Sequence, residues 1–189
     1  MLAGGRFVCD EHPVDAAGHY RQLLRLGREE FLASAAPAAL VRYRRADDNP
    51  AANGAATLTL DDELPRENLS EETLPFSKGG TLRAELEVFP LAKKPGASFP
   101  DRITIGRTSN NDVVIADTSI SRLHAYIRRD AGTWVIADGG SKNGSWLQGG
   151  VLEPRKERAL PSRALLRFGD IDLTFYSAPD LFVALGGPA

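Results

Sequence analysis

The sequence predicts a mainly β protein, a β-sandwich of antiparallel strands preceded by a small helical N-terminal segment. Three observations carry this. After Gly80 short runs rich in β-branched and aromatic residues follow one another: "LRAELEVF", "RITIG", "DVVIA", "LHAYIRR", "TWVIAD", "GSWLQ", "ALLRF" and "DIDLTFY". Gly, Asn, Asp and Pro turns separate them, and no helix-period stretch supplies the crossovers a parallel nucleotide-binding sheet needs. Near the N-terminus, by contrast, the apolar residues recur at helical spacing.

The elements follow in order. Between Val14 and Leu26, the positions Ala16, Ala17, Tyr20, Leu23 and Leu24 define one helical face, with Asp15 placed near the first turn. Gly27 interrupts this helix, "REEFLAS" extends it by a turn or two, and Pro37 stops it ahead of "ALVRYRR", a candidate short strand. "ADDNPAANGAA" is loop chemistry throughout. The acidic, proline-punctuated "TLTLDDELPRENLSEETLPFSKGG" reads as a solvated tether. In "TLRAELEVF", Leu82, Ala84, Leu86 and Val88 alternate with Arg83, Glu85 and Glu87, the pattern of a strand with one buried face. The expected organisation is a mainly helical segment over 1–46, an acidic Pro/Gly-containing linker over 47–80 and the β-sandwich over 81–184.

Composition narrows the function. With 42% hydrophobic and 25% charged residues, the 189-residue chain has the balance of a folded protein. Its 23 Lys and Arg against 25 Asp and Glu leave a net charge of -2, so nothing draws it as a whole to nucleic acid or an anionic membrane. An anion site must be local. No apolar run reaches bilayer-spanning length and the first residues lack a signal-peptide pattern, so a cytoplasmic protein is expected. One cysteine, Cys9, and three scattered histidines, His12, His19 and His124, offer neither a disulfide nor a metal cage. No cofactor or metal is expected.

Three inter-strand loops offer groups suited to an anion. "IGRTSNND" places Arg107 after a strand end, with Gly106 letting the backbone turn. "TSISRLH" adds the Ser121 hydroxyl and Arg122, and "GGSKNGS" adds Lys142, Asn143 and a turn-forming Gly144. Singly, each also has a structural reading: Asn-Gly between strands is a hairpin signal, and alternation in "LHAYI" turns His124 inward as a hydrogen-bonded structural residue. An enzyme reading exists too. Ser121 as nucleophile, His124 as base and Asp117 or Asp138 as orienting acid would supply the residue types of a hydrolase triad. The chain lacks the G-x-S-x-G elbow that would support this, and it lacks a phosphate-binding P-loop.

Taken in order, Gly106-Arg107, Ser121-Arg122-Leu123-His124 and Ser141-Lys142-Asn143-Gly144-Ser145 resemble the forkhead-associated (FHA) domain, with "NNDVVI" and Asp138 also where that family has them. The resemblance covers about residues 80–180. It implies an FHA-like sandwich, no catalysis, and a phosphothreonine-binding adaptor in Ser/Thr kinase signalling. By the same resemblance Arg107 and Ser121 hold the phosphate, Arg122 and Lys142 add to that contact, and Asn143 fixes the peptide backbone. Gly106, His124 and Gly144 shape the loops. The implied partner is a phosphothreonine-containing protein or the chain's own phosphorylated linker, Thr73 in "SEETLPF" being the candidate cis phosphosite. An FHA-like domain that no longer binds phosphopeptide is the remaining alternative. Two departures stand out: Ser162-Arg163 where the family usually has Gly-Asp, and Ser119 in the stretch that helps select the residue three after phosphothreonine in some members.

Overall fold

A computed structural model describes residues 16–44, 85–96 and 98–188. Thr73, Cys9, Asp15 and the linker 47–80 lie outside the described residues. The chain divides into Met1–Tyr43 with Leu86–Ala189, and Arg44–Glu85; apart from Arg44 and Glu85 themselves, the described strands and helices lie in the first.

Two helices open the described chain, α1 (Ala16–Leu26) and α2 (Arg28–Ser34), separated at Gly27, whose φ of 98° breaks the helical path. Glu29 and Glu30 in the first turn of α2 complement its dipole. Strand β1 (Ala38–Arg44) follows Pro37. After the linker come β2 (Glu85–Pro90), β3 (Ile103–Gly106), β4 (Val113–Val114), β5 (Ala125–Asp130) and β6 (Thr133–Asp138). Then follow β7 (Ser145–Leu147), β8 (Gly150–Val151), β9 (Arg158–Ala159), β10 (Ala164–Phe168), β11 (Ile171–Ser177) and helix α3 (Ala178–Ala184).

The strands form two sheets, β2-β1-β11-β10-β7-β8 and β4-β3-β5-β6-β9. The pairings with described register are antiparallel apart from the short parallel β3–β4 pair. Between the sheets lies the main core. Alternation puts Ile105, Ala125, Ile127 and Ile136 against Ala164, Leu166, Phe168, Leu173 and Phe175 from the facing sheet.

A second cluster sits on the outer side of the six-stranded sheet. Ala38 and Leu40 of β1 point into the main core, whereas Ala39 and Val41 join Tyr20, Leu23 and Phe31 of the first two helices and Leu181 and Phe182 of α3. The Phe31 ring lies 5.2 Å from Phe182 and 5.7 Å from Tyr20. Ala38–Arg44 thus belongs to the sandwich by pairing, although its sequence position is in the helical segment. The expectation of one polar face for β2 fails for the same reason. Phe89 enters the sandwich core, and Val88 on the opposite face is covered by the helical cluster. Helix α3, with Pro179 at its start, was not foreseen from the sequence.

Candidate functional site

One end of the sandwich gathers the loops between β3 and β4, β4 and β5, and β6 and β7. Their frame is a set of short buried contacts. Gly106 is required by close approach: a Cβ there would lie 2.2 Å from the Arg122 carbonyl oxygen. That approach lets the Arg107 N–H donate to the Ser121 carbonyl (3.0 Å) and the His124 N–H to that of Ile105 (2.8 Å). Buried Asn111 donates its amide to the carbonyls of Arg122 (2.6 Å) and Thr108 (2.9 Å), fastening the first loop to the second. Next to it, buried Asp112 accepts from Lys93 Nζ, the Lys94 and Thr104 N–H groups and the Thr104 hydroxyl.

His124, fully buried, ties the second loop to the third. Its Nδ1 accepts the Ser121 N–H (3.0 Å), so the proton resides on Nε2, which donates to the Gly144 carbonyl (3.0 Å). Burial holds its pKa below the ordinary histidine value, favouring the neutral ring that this pairing needs. In the third loop Asp138 Oδ1 accepts the Gly140 and Ser141 N–H groups, and Oδ2 accepts the hydroxyls of Ser141 and Ser145. Burial opposes the charge on Asp138, yet these hydrogen bonds outweigh it and hold the carboxyl below its usual range. Gly144 takes φ 84°, and a Cβ there would press on the Trp146 ring at 3.1 Å.

Around this frame lies an open depression of about 670 Å³ whose lining includes Arg107, Ser121, Arg122, Lys142 and Asn143. The five residues singled out from the sequence therefore share one surface. Ser121 Oγ accepts the Lys142 N–H (2.9 Å), and its own proton meets no acceptor among the described residues. The side chains of Arg107, Arg122 and Lys142 are exposed, and none has an acidic partner among the described residues. Several other surface cations are paired: Arg102 with Asp101, Arg128 with Glu157 and Arg163 with Asp180. Three cations with no acidic partner among the described residues stand around one hydroxyl donor, an arrangement chemically suited to an anion.

Asn143 also ties loops together: its Nδ2 donates to the Ser119 carbonyl (2.8 Å), spanning the second and third loops, and its Oδ1 has no partner among the described residues. Ser119 also turns inward: its hydroxyl donates to Asp117 (2.7 Å) and accepts the Asp170 N–H (3.2 Å). Arg163, at the Ser162-Arg163 departure, is held at φ 66° and pairs with Asp180. Asn111 and Asp112 were not singled out for loop support. "NND" reads as a turn, and only burial reveals that their side chains point into the frame.

The hydrolase constellation is not assembled. Both His124 nitrogens are committed to backbone groups, Asp117 is bonded to Ser119, and Asp138 to Ser141 and Ser145. Among the described residues no base is positioned to take the Ser121 proton. A rigid sandwich presenting donor-lined loops, with its histidine locked in the frame, has the form of a binding module.

The family model described as FHA domain matches residues 103–169. This chain belongs to the FHA family over that span, and FHA domains are phosphopeptide-binding modules. Among similar proteins, an FHA domain-containing protein of Arabidopsis thaliana is 36% identical over 78 residues, 41% of this chain and 19% of that protein. The oxoglutarate dehydrogenase inhibitor of Corynebacterium diphtheriae is 34% identical over 76 residues, 40% of this chain and 51% of that protein. The chain thus spans about half or less of the length of these relatives. Among solved structures, Mycobacterium tuberculosis EmbR in complex with a low affinity phosphopeptide is 31% identical, over 41% of this chain and 20% of that one, with a TM-score of 0.38. Among the described residues no helix is long and apolar enough to cross a membrane.

Proposed function

We propose that this chain is a phosphothreonine-binding adaptor acting in Ser/Thr kinase signalling. The observation that carries the reading is the depression where Arg107, Arg122 and Lys142, all unpaired among the described residues, surround the free hydroxyl proton of Ser121. A phosphate monoester near neutral pH carries about -1.5 to -2 charges and several acceptor oxygens, which match one guanidinium fork, one ammonium and one hydroxyl donor without a metal. Arg107 takes the phosphate oxygens with paired donors, and Ser121 donates its proton to another. The Oδ1 of Asn143 accepts a backbone N–H of the bound peptide. Because the frame is built before the ligand arrives, little ordering cost falls on binding.

The test is calorimetric titration of the full chain with a threonine peptide in phosphorylated and unphosphorylated forms, for wild type and Arg107→Ala. The expected result is binding of the phosphorylated form only, weakened about 100-fold in the variant, as loss of a bidentate charged contact implies. Equal affinity of wild type and variant would remove Arg107 from the phosphate, and no binding by either would leave the domain a structural part.

A further inference from the structure

We propose that the outer face of the six-stranded sheet, beside the helical cluster, is an interface through which two copies of this chain associate. Burial and register place its residues. Leu40 of β1, Leu173 and Phe175 of β11, and Leu166 and Phe168 of β10 face the main core, and Leu147 of β7 packs against it. Alternation therefore turns Tyr43, Asp172, Leu165, Arg167 and Trp146 to the other side. Trp146 is the register partner of Arg167 in β10 and of Val151 in β8, which carries this face to the edge of the sheet.

The three helices cover the part of this face that holds Ala39 and Val41. Beyond them the apolar side chains stand in solvent: Tyr43 is 51% exposed, Val151 61% and Leu165 64%. Half-buried Trp146 lies between Val151 and β10 and makes the patch continuous. Large apolar side chains gathered on one face mark a surface that another molecule covers. The strands that carry them, β1, β11, β10, β7 and β8, are neighbours in that order. At about 4.8 Å per strand they span roughly 20 Å, the breadth of the central part of an interface to which each partner gives about 800 Å².

The order of the charges identifies the occupant as a second copy. Asp172 and Arg167 are register partners in the middle of the patch. Arg167 is drawn toward β7, with its guanidinium 5.6 Å from the centre of the Trp146 ring; it donates to the Gly169 carbonyl and stands 3.8 Å from Asp170. Asp172 has no partner among the described residues. A two-fold axis running along the strands between β10 and β11 sets Asp172 of each copy against Arg167 of the other. The same axis sets Tyr43 against Trp146, and Leu165 against the methyl group of its register partner Thr174. Each match is made twice, as an interface between identical surfaces requires. A partner of one charge sign would leave either Arg167 or Asp172 facing its own kind. Such an axis keeps the strands of the two sheets within about 30° of each other, the angle of aligned sheet packing. It also turns both loop ends the same way, so the pair presents two copies of the candidate site on one side.

The experiment is sedimentation velocity on the full chain at low salt, from about 5 to about 500 µM, a range that brackets a contact of modest area. Wild type is expected to show a reversible monomer–dimer equilibrium with a Kd of about 10–100 µM. Leu165→Lys should weaken it about 100-fold, since the change removes an apolar contact at two symmetric places. Asp172→Arg and Arg167→Glu each bring like charges together and should each be monomeric alone. An equimolar mixture of these two variants should associate as wild type does, because every contact then joins opposite charges. Circular-dichroism melts of each variant separate loss of association from loss of fold. The proposal is overturned if wild type stays monomeric throughout, if Leu165→Lys or Asp172→Arg associates as strongly as wild type, or if the mixture of two folded charge variants stays monomeric. Should Arg167→Glu fail to fold, Leu165→Lys and Asp172→Arg decide by the same criterion. No arm uses a phosphopeptide, so the outcome is independent of the phosphothreonine reading.

Discussion

Two sets of polar residues meet at the loop end of the sandwich, and they differ in what surrounds them. Asn111, His124, Asp138 and Ser145 are at most 2% exposed and are tied to backbone or to one another across the three loops. Arg107, Arg122 and Lys142 stand exposed, with no acidic partner among the described residues. The inner set spends its hydrogen-bonding capacity on the fold, and the outer set keeps its capacity for something outside the chain. Substitutions should therefore separate into those that move stability and those that move binding.

The largest effect is expected at Asp138. Replacing it with Ala strips the acceptor from two backbone N–H groups and two hydroxyls at once. Buried donors left without partners should cost about 3–5 kcal/mol, readable as a lowered urea midpoint. Phosphopeptide binding should fall with it, because Ser141 and Lys142 lose their anchor. The carboxylate also sets an acid limit. Its folded pKa lies below 3.8, so the stability it contributes is present above pH 3.8 and is lost as pH falls through the folded value. An Asp138→Ala variant within about 1 kcal/mol of wild type would mean that the inner set is not a frame.

His124 gives a smaller effect in a different pH window. Its folded pKa is depressed below 6.5 by burial, so on acidification the unfolded chain takes up the proton first. Stability from this residue is complete above pH 6.5 and declines below it, by up to about 1.4 kcal/mol per pH unit, until the folded value is passed. Thermal melts from pH 7.5 to 5 should follow that slope. His124→Gln, which keeps one donor and one acceptor but does not titrate, should flatten it. An unchanged slope in the variant would assign the acid sensitivity to another group.

Much of this arrangement was legible in the chain. The strand runs from "RITIG" to "DIDLTFY" became β3 to β7, β10 and β11, because alternation and turn residues report which face is buried. The five ligand-side candidates come together because each sits in a loop at a strand end, where position along the chain translates directly into place at the rim. What escaped depends on contacts distant in sequence. "AALV" gave no sign that Ala39 and Val41 would lie beneath the three helices, nor "EVF" that both of its faces would be covered. "SKNG" gave no sign that the Asn143 amide would reach Ser119 across 24 residues of chain. Phe99 carried no local signal, since a positive φ at a phenylalanine is imposed by tertiary surroundings.

The smallest effects are expected at Arg122 and Lys142, and they test the comparison most finely. Each is a single exposed cation, and on the proposed binding mode Arg107 already grips the phosphate, so screening limits its contribution to about 0.5–1 kcal/mol, a two- to fivefold loss of affinity on change to Ala. Because neither side chain has a partner among the described residues, both variants should unfold within about 0.5 kcal/mol of wild type. Raising the salt from 50 to 500 mM should shrink the affinity differences, since the contact is made in solvent. The Lys142 backbone N–H still donates to Ser121 Oγ in Lys142→Ala, so the loop keeps its shape and only the ammonium is removed. If either variant lost stability on the scale expected of Asp138→Ala, the outer set would be part of the frame and the division between the two sets would fail.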